Sequence, residues 1–136
     1  MTTISNSLIA LGISEFVLRG EPTTEAEFNA MFRKVTGSNN GNAIESSNPS
    51  DFGTTWKAVS DKKTALINGE PMRLLRVERN RLLAETDWWA SSDLSITDEQ
   101  KKYREDLRDL PSSASPKLTS NGTLDMSSVT FPTKPP

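Results

Sequence analysis

Met72-Arg73-Leu74-Leu75-Arg76-Val77-Glu78-Arg79-Asn80-Arg81-Leu82-Leu83-Ala84-Glu85-Thr86 is the stretch on which the fold turns. Met72, Leu75, Arg79, Leu82 and Leu83 recur at helical spacing, while Arg73, Arg76 and Arg81 take up the rest of the circumference, so the segment predicts a helix over 72–86. Thr86-Asp87 and then Trp88-Trp89 mark its end, and a short polar connection reaches Ile96-Thr97-Asp98-Glu99-Gln100. Thr97 and Gln100 form a capping box, with acids in the first turn where they favour the helix dipole. Tyr103, Leu107 and Leu110 then supply an inward stripe at i, i+4 and i+7, and Pro111 is expected to stop the helix. Two such helices make an αα-hairpin at 71–111 whose apolar faces are too narrow to stand alone.

Downstream, residues 112–136 scatter Leu118, Leu124, Met126, Val129 and Phe131 through a polar, proline-bearing background. That composition predicts an extended C-terminal arm, with its apolar residues spaced as anchors for another surface. Upstream, residues 1–70 form the third part, an N-terminal module. Ile9, Leu11 and Ile13 alternate with smaller residues before Phe16-Val17-Leu18, a pattern that favours an extended segment over 1–20. Thr24 and Glu27 make another capping box, and Phe28, Met31, Phe32 and Val35 follow at helical spacing, so a helix is expected from about 25 to 36, closed by Gly37. Residues 38–50 are rich in Asn, Gly and Ser and read as a surface linker; Asn68-Gly69-Glu70-Pro71 reads as a turn between the halves. The predicted fold class is mainly α: an N-terminal module with an extended segment and one helix, the αα-hairpin, and the extended arm.

Composition narrows the chemistry. The 136 residues are enough for one ordinary domain or two small ones. Apolar residues make up 34%, and adding the seven glycines still leaves the chain below the usual share of about 45–50%. The core is therefore expected to be thin and completed by a partner. With no Cys and no His, thiolate and Ser-His nucleophiles, disulfides and metal sites built on those ligands are excluded. The net charge of -2 and the lack of a long single-sign run call for neither nucleic acid nor a membrane, and the longest apolar stretch, Leu8 to Leu11, is far short of the roughly 20 residues of a membrane span. The first residues lack the basic segment of an export signal. Carboxylate pairs such as Glu25 and Glu27, Asp98 and Glu99, or Asp106 and Asp109 sit in first turns or on amphipathic faces, where capping and solubility account for them. No catalytic residue, metal site or cofactor is expected, and the chain is read as a non-enzyme.

The candidate sites are surfaces. Trp88-Trp89 can form a partner hot spot or close the hairpin on Tyr103 and Leu107, with one ring inward and the other outward. The arginines at 73, 76, 79 and 81 fit a nucleic-acid patch less well than a solvated face paired with Glu85, Asp87 or acids of the next helix. Arg104 and Arg108 with Asp106 and Asp109 read as an alternating charged face, and Asp98 with Lys102 as an i,i+4 pair. The expected partner-binding residues are Trp88, Trp89, Tyr103, Leu107, Leu118, Leu124, Met126, Val129 and Phe131.

Leu75 to Trp89, then Thr97-Asp98-Glu99-Gln100, Tyr103-Arg104, Leu107-Arg108-Asp109-Leu110-Pro111 and Phe131-Pro132-Thr133-Lys134-Pro135 together resemble the tail assembly chaperone family of tailed bacteriophages, over roughly residues 72–136. The chain departs from that pattern at 90–102, which is poorer in apolar and aromatic residues. Leu11 to Gly20 and Glu25 to Gly37 resemble the N-terminal part of small structural proteins of marine cyanophages. The resemblance implies a tail, baseplate or tail-fibre context and no reaction. Its leading implication is a virion structural or adaptor protein, and the alternative is an assembly chaperone that leaves. The partners it implies are other phage tail or tail-fibre proteins, with multiple copies in an assembly; no membrane partner is expected, and a nucleic-acid-binding accessory role stays open only through the arginine cluster. The implied location is the virion, with the host cytoplasm during assembly.

Overall fold

A computed structural model of the chain describes residues 2–91 and 93–136, so Met1 and Ser92, the latter in the connection between the two expected helices, lie outside the described residues. The fold is mainly α with one small sheet, and it divides into two compact units, Met1–Asn68 and Gly69–Pro136.

In the first unit, helix α1 (Ile4–Ala10) occupies part of the stretch expected to be extended. Its start is a reciprocal cap, in which the Asn6 amide donates to Thr3 Oγ1 at 3.3 Å and the Thr3 amide donates to Asn6 Oδ1 at 2.8 Å. Its end is a left-handed turn at Gly12, φ +81°, where the Gly12 amide reaches the Ile9 carbonyl and the Ile13 amide reaches that of Leu8, both at 3.0 Å. These two closures override the alternation of Ile9, Leu11 and Ile13. Only Phe16–Leu18 is a strand, β1.

Helix α2 (Glu25–Met31) begins where expected, with the Glu27 amide donating to Thr24 Oγ1 at 3.1 Å, but the capping box is only half formed, since the Glu27 carboxylate accepts from the Thr23 and Thr24 hydroxyls, and the helix stops five residues early. Phe32 turns extended, and Phe32–Asn39 becomes β2, the centre of an antiparallel sheet in the order β1-β2-β3. Leu18 lies opposite Phe32, and Phe16 opposite Lys34. Strand pairing thus claims residues whose spacing fits a helix. The expected linker is largely the outer half of this sheet. β2 and β3 (Asn42–Ser46) are joined by Asn40 and Gly41, both at positive φ as a tight hairpin turn demands, with a register slip between Val35 and Gly37. The sheet and α2 close over Ile4, Leu8, Phe28, Phe32, Phe52 and Val59, all essentially inaccessible to water.

Helix α3 (Trp56–Glu85) starts well upstream of Met72 and runs through Asn68-Gly69-Glu70-Pro71 without a turn. A proline inside a helix removes one hydrogen bond and crowds the carbonyl four residues back. Here the bidentate ion pair of Arg73 with Glu70, at 2.8 and 2.6 Å, spans that point, and burial of Val59 before it and Leu75 after it fixes the helix on both sides.

In the second unit a short 3-10 turn, Asp87–Ala90, leads from α3 toward α4 (Asp98–Ser113). The cap of α4 is as expected: the Gln100 amide donates to Thr97 Oγ1 at 3.1 Å and the Thr97 amide to Gln100 Oε1 at 3.0 Å. Pro111 does not stop α4, because in the last turn a proline costs a single rung and the neighbouring groups cover the ends. The Ser112 hydroxyl donates to the Asp109 carbonyl at 2.6 Å, and the Ala114 amide to that of Leu110 at 3.0 Å. Trp89, Tyr103 and Leu107 form the core, with Leu82, Leu83 and Ile96 packed on them.

The C-terminal segment is not a free extended arm. Residues 117–128 close on themselves: Leu118 bridges Leu124, the Asp125 amide donates to the Lys117 carbonyl at 2.8 Å, and a 3-10 turn covers Met126–Ser128. From Val129 onward the chain returns to its own helices.

Candidate functional site

The face made by the end of α3, the 3-10 turn and α4 is assembled around Arg104. Its guanidinium donates to the Leu83 carbonyl at 2.8 Å, to Thr86 Oγ1 at 2.7 Å and to Asp87 Oδ1 at 2.8 Å. A helix leaves its last carbonyls unpaired, and a cation there also meets the negative end of the dipole, so Arg104 both caps α3 and ties α4 to it. Only 12% of its side chain is exposed. Its sequence neighbours suggested a charged surface stripe, and nothing in the local pattern distinguishes it from Arg108. Buried Thr86 completes the joint, its hydroxyl donating back to the Leu83 carbonyl at 3.2 Å.

The two tryptophans divide. Trp89 is buried against Tyr103, with ring centroids 5.9 Å apart, whereas Trp88 is 61% exposed and touches Trp89 edge to face at 6.3 Å. Burial pushes the Tyr103 hydroxyl above its ordinary value, and nearby Glu85 adds to the shift. Tyr103 and Leu107 lie inside the unit with Trp89, as does Val129 at the start of the returning arm. Leu118, Leu124 and Phe131 are half-buried, and Met126 is exposed. Of the expected partner-binding residues, Trp88 and Met126 are thus the ones that the isolated chain presents openly, and exposed Leu94 lies a few residues beyond the tryptophan pair.

The arm meets this face through Lys134. Its ammonium sits 2.8 Å from Glu85 Oε1 and 5.9 Å from the centre of the Trp89 ring, combining an ion pair with a cation-π contact. Hydrogen bonding to Lys134, with its charge and that of Arg81, holds the Glu85 carboxyl below the usual carboxylate range. The Pro136 carbonyl accepts from Gln100 Nε2 at 3.3 Å. At the other end of α4, an open cleft is lined by Asp106, Asp109, Leu110, Thr130, Phe131 and Pro132, among others.

Two arginines of the cluster are tied to carboxylates on α3 itself, while Arg79 donates to Asn80 Oδ1 at 3.0 Å and to the Arg108 carbonyl at 3.5 Å. Arg81 forks between Glu78 at 2.6 Å and Glu85 at 3.2 Å, and Arg73 pairs with Glu70 rather than with an acid of the next helix. On α4, Lys102 pairs with Asp106 at 2.9 Å and not with Asp98, whose partner is Lys101 at 3.9 Å. Among the described residues no three acidic side chains gather as a metal centre would require. The surface can therefore offer an aromatic edge, paired charges and a helix face along which the proline-bearing arm lies, which is the chemistry of protein contact.

No curated protein and no solved structure matches the chain. Residues 72–136, the part that contains the hairpin, the tryptophan pair and the returning arm, match the family model of the phage tail assembly chaperone protein; the match does not reach the N-terminal half, whose likeness to cyanophage proteins it leaves without support, and it makes this C-terminal region similar to that family.

Proposed function

We propose that this chain is a non-enzymatic assembly factor for phage tail proteins, acting through the hairpin and Trp88. The observation that carries this reading is the docking of the arm on its own hairpin by Lys134, Glu85 and Trp89, within the region that matches the chaperone family. A polar, proline-rich tail that stays ordered calls for a permanent partner only when nothing in its own chain holds it. Here the chain holds its own tail, so retention in the particle is not required to explain it. Trp88 remains as an exposed aromatic of the kind that dominates interface energetics. The second reading, a structural adaptor retained in the tail, baseplate or tail fibre, draws on the N-terminal unit, which has its own aromatic core and can act as an anchor.

Mass spectrometry of purified, salt-washed particles, set against lysate of cells making them, separates the two. The assembly-factor reading expects abundance in the lysate, co-purification with an unassembled tail protein, and absence from particles. Stoichiometric presence in the particle overturns it in favour of the adaptor.

A further inference from the structure

The returning arm lies along α4 in the opposite direction: Phe131 lies by Leu110, and Pro136 reaches Gln100. Ten residues of helix cover about 15 Å, and Phe131 to Pro136 in extended form covers about 16–18 Å. The two lengths match, so the arm spans that stretch of α4, held at Glu85, Trp89 and Gln100 and leaving an open cleft beside Phe131 and Pro132. Its contacts fall into two sets. Residues 117–128 bond to one another, through Leu118 with Leu124, the Lys117 amide with Ser128 Oγ and the Asp125 amide with the Lys117 carbonyl. Residues 129–136 bond to the hairpin, through Lys134 with Glu85 and Trp89 and Pro136 with Gln100. Between the end of α4 and the first set stands only Ala114-Ser115-Pro116.

We propose that the groove on the hairpin also accepts the arm of a second copy of this chain, with residues 117–136 exchanged as one piece about the hinge at 114–116. Every docking contact then reforms between copies, because none depends on the covalent connection between arm and helix. Pro116 disfavours the helical conformation at Ser115, so α4 cannot lengthen to absorb the hinge, and the chain must turn there, back to its own groove or out to a neighbour. A short flexible tether gives the arm a local concentration of about millimolar, so the closed monomer prevails in dilute solution. Exchange takes over when copies are crowded side by side or when closure within one copy is penalised. The inference is independent of whether the chain leaves the particle or stays in it.

Charge reversal tests it. In E85K, Lys134 meets a lysine, and in K134E, Glu85 meets a glutamate, so each variant repels its own arm and that of an identical copy. Mixed in equal amounts, each arm finds an opposite charge on the other variant's hairpin. The mixture is expected to sediment as a dimer at concentrations where each variant alone, folded by far-UV circular dichroism, is a monomer. A mixture that sediments as two monomers overturns the proposal. Should either variant fail to fold, the cysteine-free background supplies a second route: E85C and K134C, distinguished by a mass tag, are mixed and oxidised. A mixed disulfide in excess of its random share is expected, and a random distribution of the three possible dimers overturns exchange.

Discussion

Around Phe28 and Phe32 in the N-terminal unit, Phe16, Phe52 and Trp56 pack with ring centroids 4.6–5.9 Å from their neighbours, whereas the buried cluster of the C-terminal unit is the smaller group of Trp89, Tyr103 and Leu107. What the second unit lacks in apolar mass it replaces with directed polar contacts: Arg104 on the α3 terminus, and Lys134 on Glu85. Burial of rings is non-directional and indifferent to pH, while guanidinium and ammonium contacts depend on geometry, salt and protonation. One unit is thus built to persist and the other to be rearranged.

The largest effect should come from the ring cluster. Phe32 is fully buried and touches three other rings, so F32A should cost about 3–5 kcal/mol. Denaturant unfolding combined with hydrogen exchange should show α1, α2 and the sheet losing protection while α4 keeps it. Equal loss in both units would break the comparison and make helix α3 a rigid coupler. Next is Arg104, which lies mostly out of water and donates three hydrogen bonds; R104A should lower stability by about 1.5–3 kcal/mol. The loss should be localised by hydrogen exchange to the last turn of α3 and to α4, and R104K should recover only part of it, since an ammonium cannot fork as a guanidinium does.

A smaller change follows from acid. Glu85 is held below the ordinary carboxylate range by Lys134, so its contribution to arm docking is present above the unfolded value and is lost as pH falls through the lower folded one. The fluorescence of Trp89 in a variant carrying no other tryptophan should therefore change at acid pH as Lys134 leaves its ring. Smallest in stability, and sharpest in function, is Trp88. W88A should shift the unfolding free energy by no more than about 0.5 kcal/mol, yet it should abolish co-purification with a tail protein. Retained binding would move the contact surface to Met126 or Leu94.

How much of this was legible in the sequence depended on whether local signals met local competition. Thr97 with Gln100 marked the start of α4 correctly, because among the described residues no strand competes for that backbone. Thr24 with Glu27 marked the start of α2 equally well, but its end was hidden: Phe32 and Val35 fit a helical stripe, and only the strands on either side draw them into a sheet. The cap at Thr3 has no clear sequence signature, because Asn6 takes the position usually held by Glu or Gln. Asn68-Gly69-Glu70-Pro71 has turn composition, and tertiary burial on both sides overrode it. Of the candidate site, the inward and outward division of the tryptophan pair was readable from their position at a helix end. Arg104, Thr86 and Lys134 were not, because each acts on a residue 17 or more positions away, across a joint that no single element contains.

The sheet of the first unit is a meander, each strand beside its sequence neighbour, and the second unit is a helical hairpin, so most pairings join residues close along the chain. Such topologies pay little loop-closure entropy before their contacts form, and chains rich in local contacts fold on microsecond to millisecond scales. The contact between Lys134 and Glu85 spans 49 residues and requires the hairpin to exist first. In folding order, then, the arm comes last, leaving a brief interval in which a finished hairpin stands with its groove open to whatever chain is being made beside it.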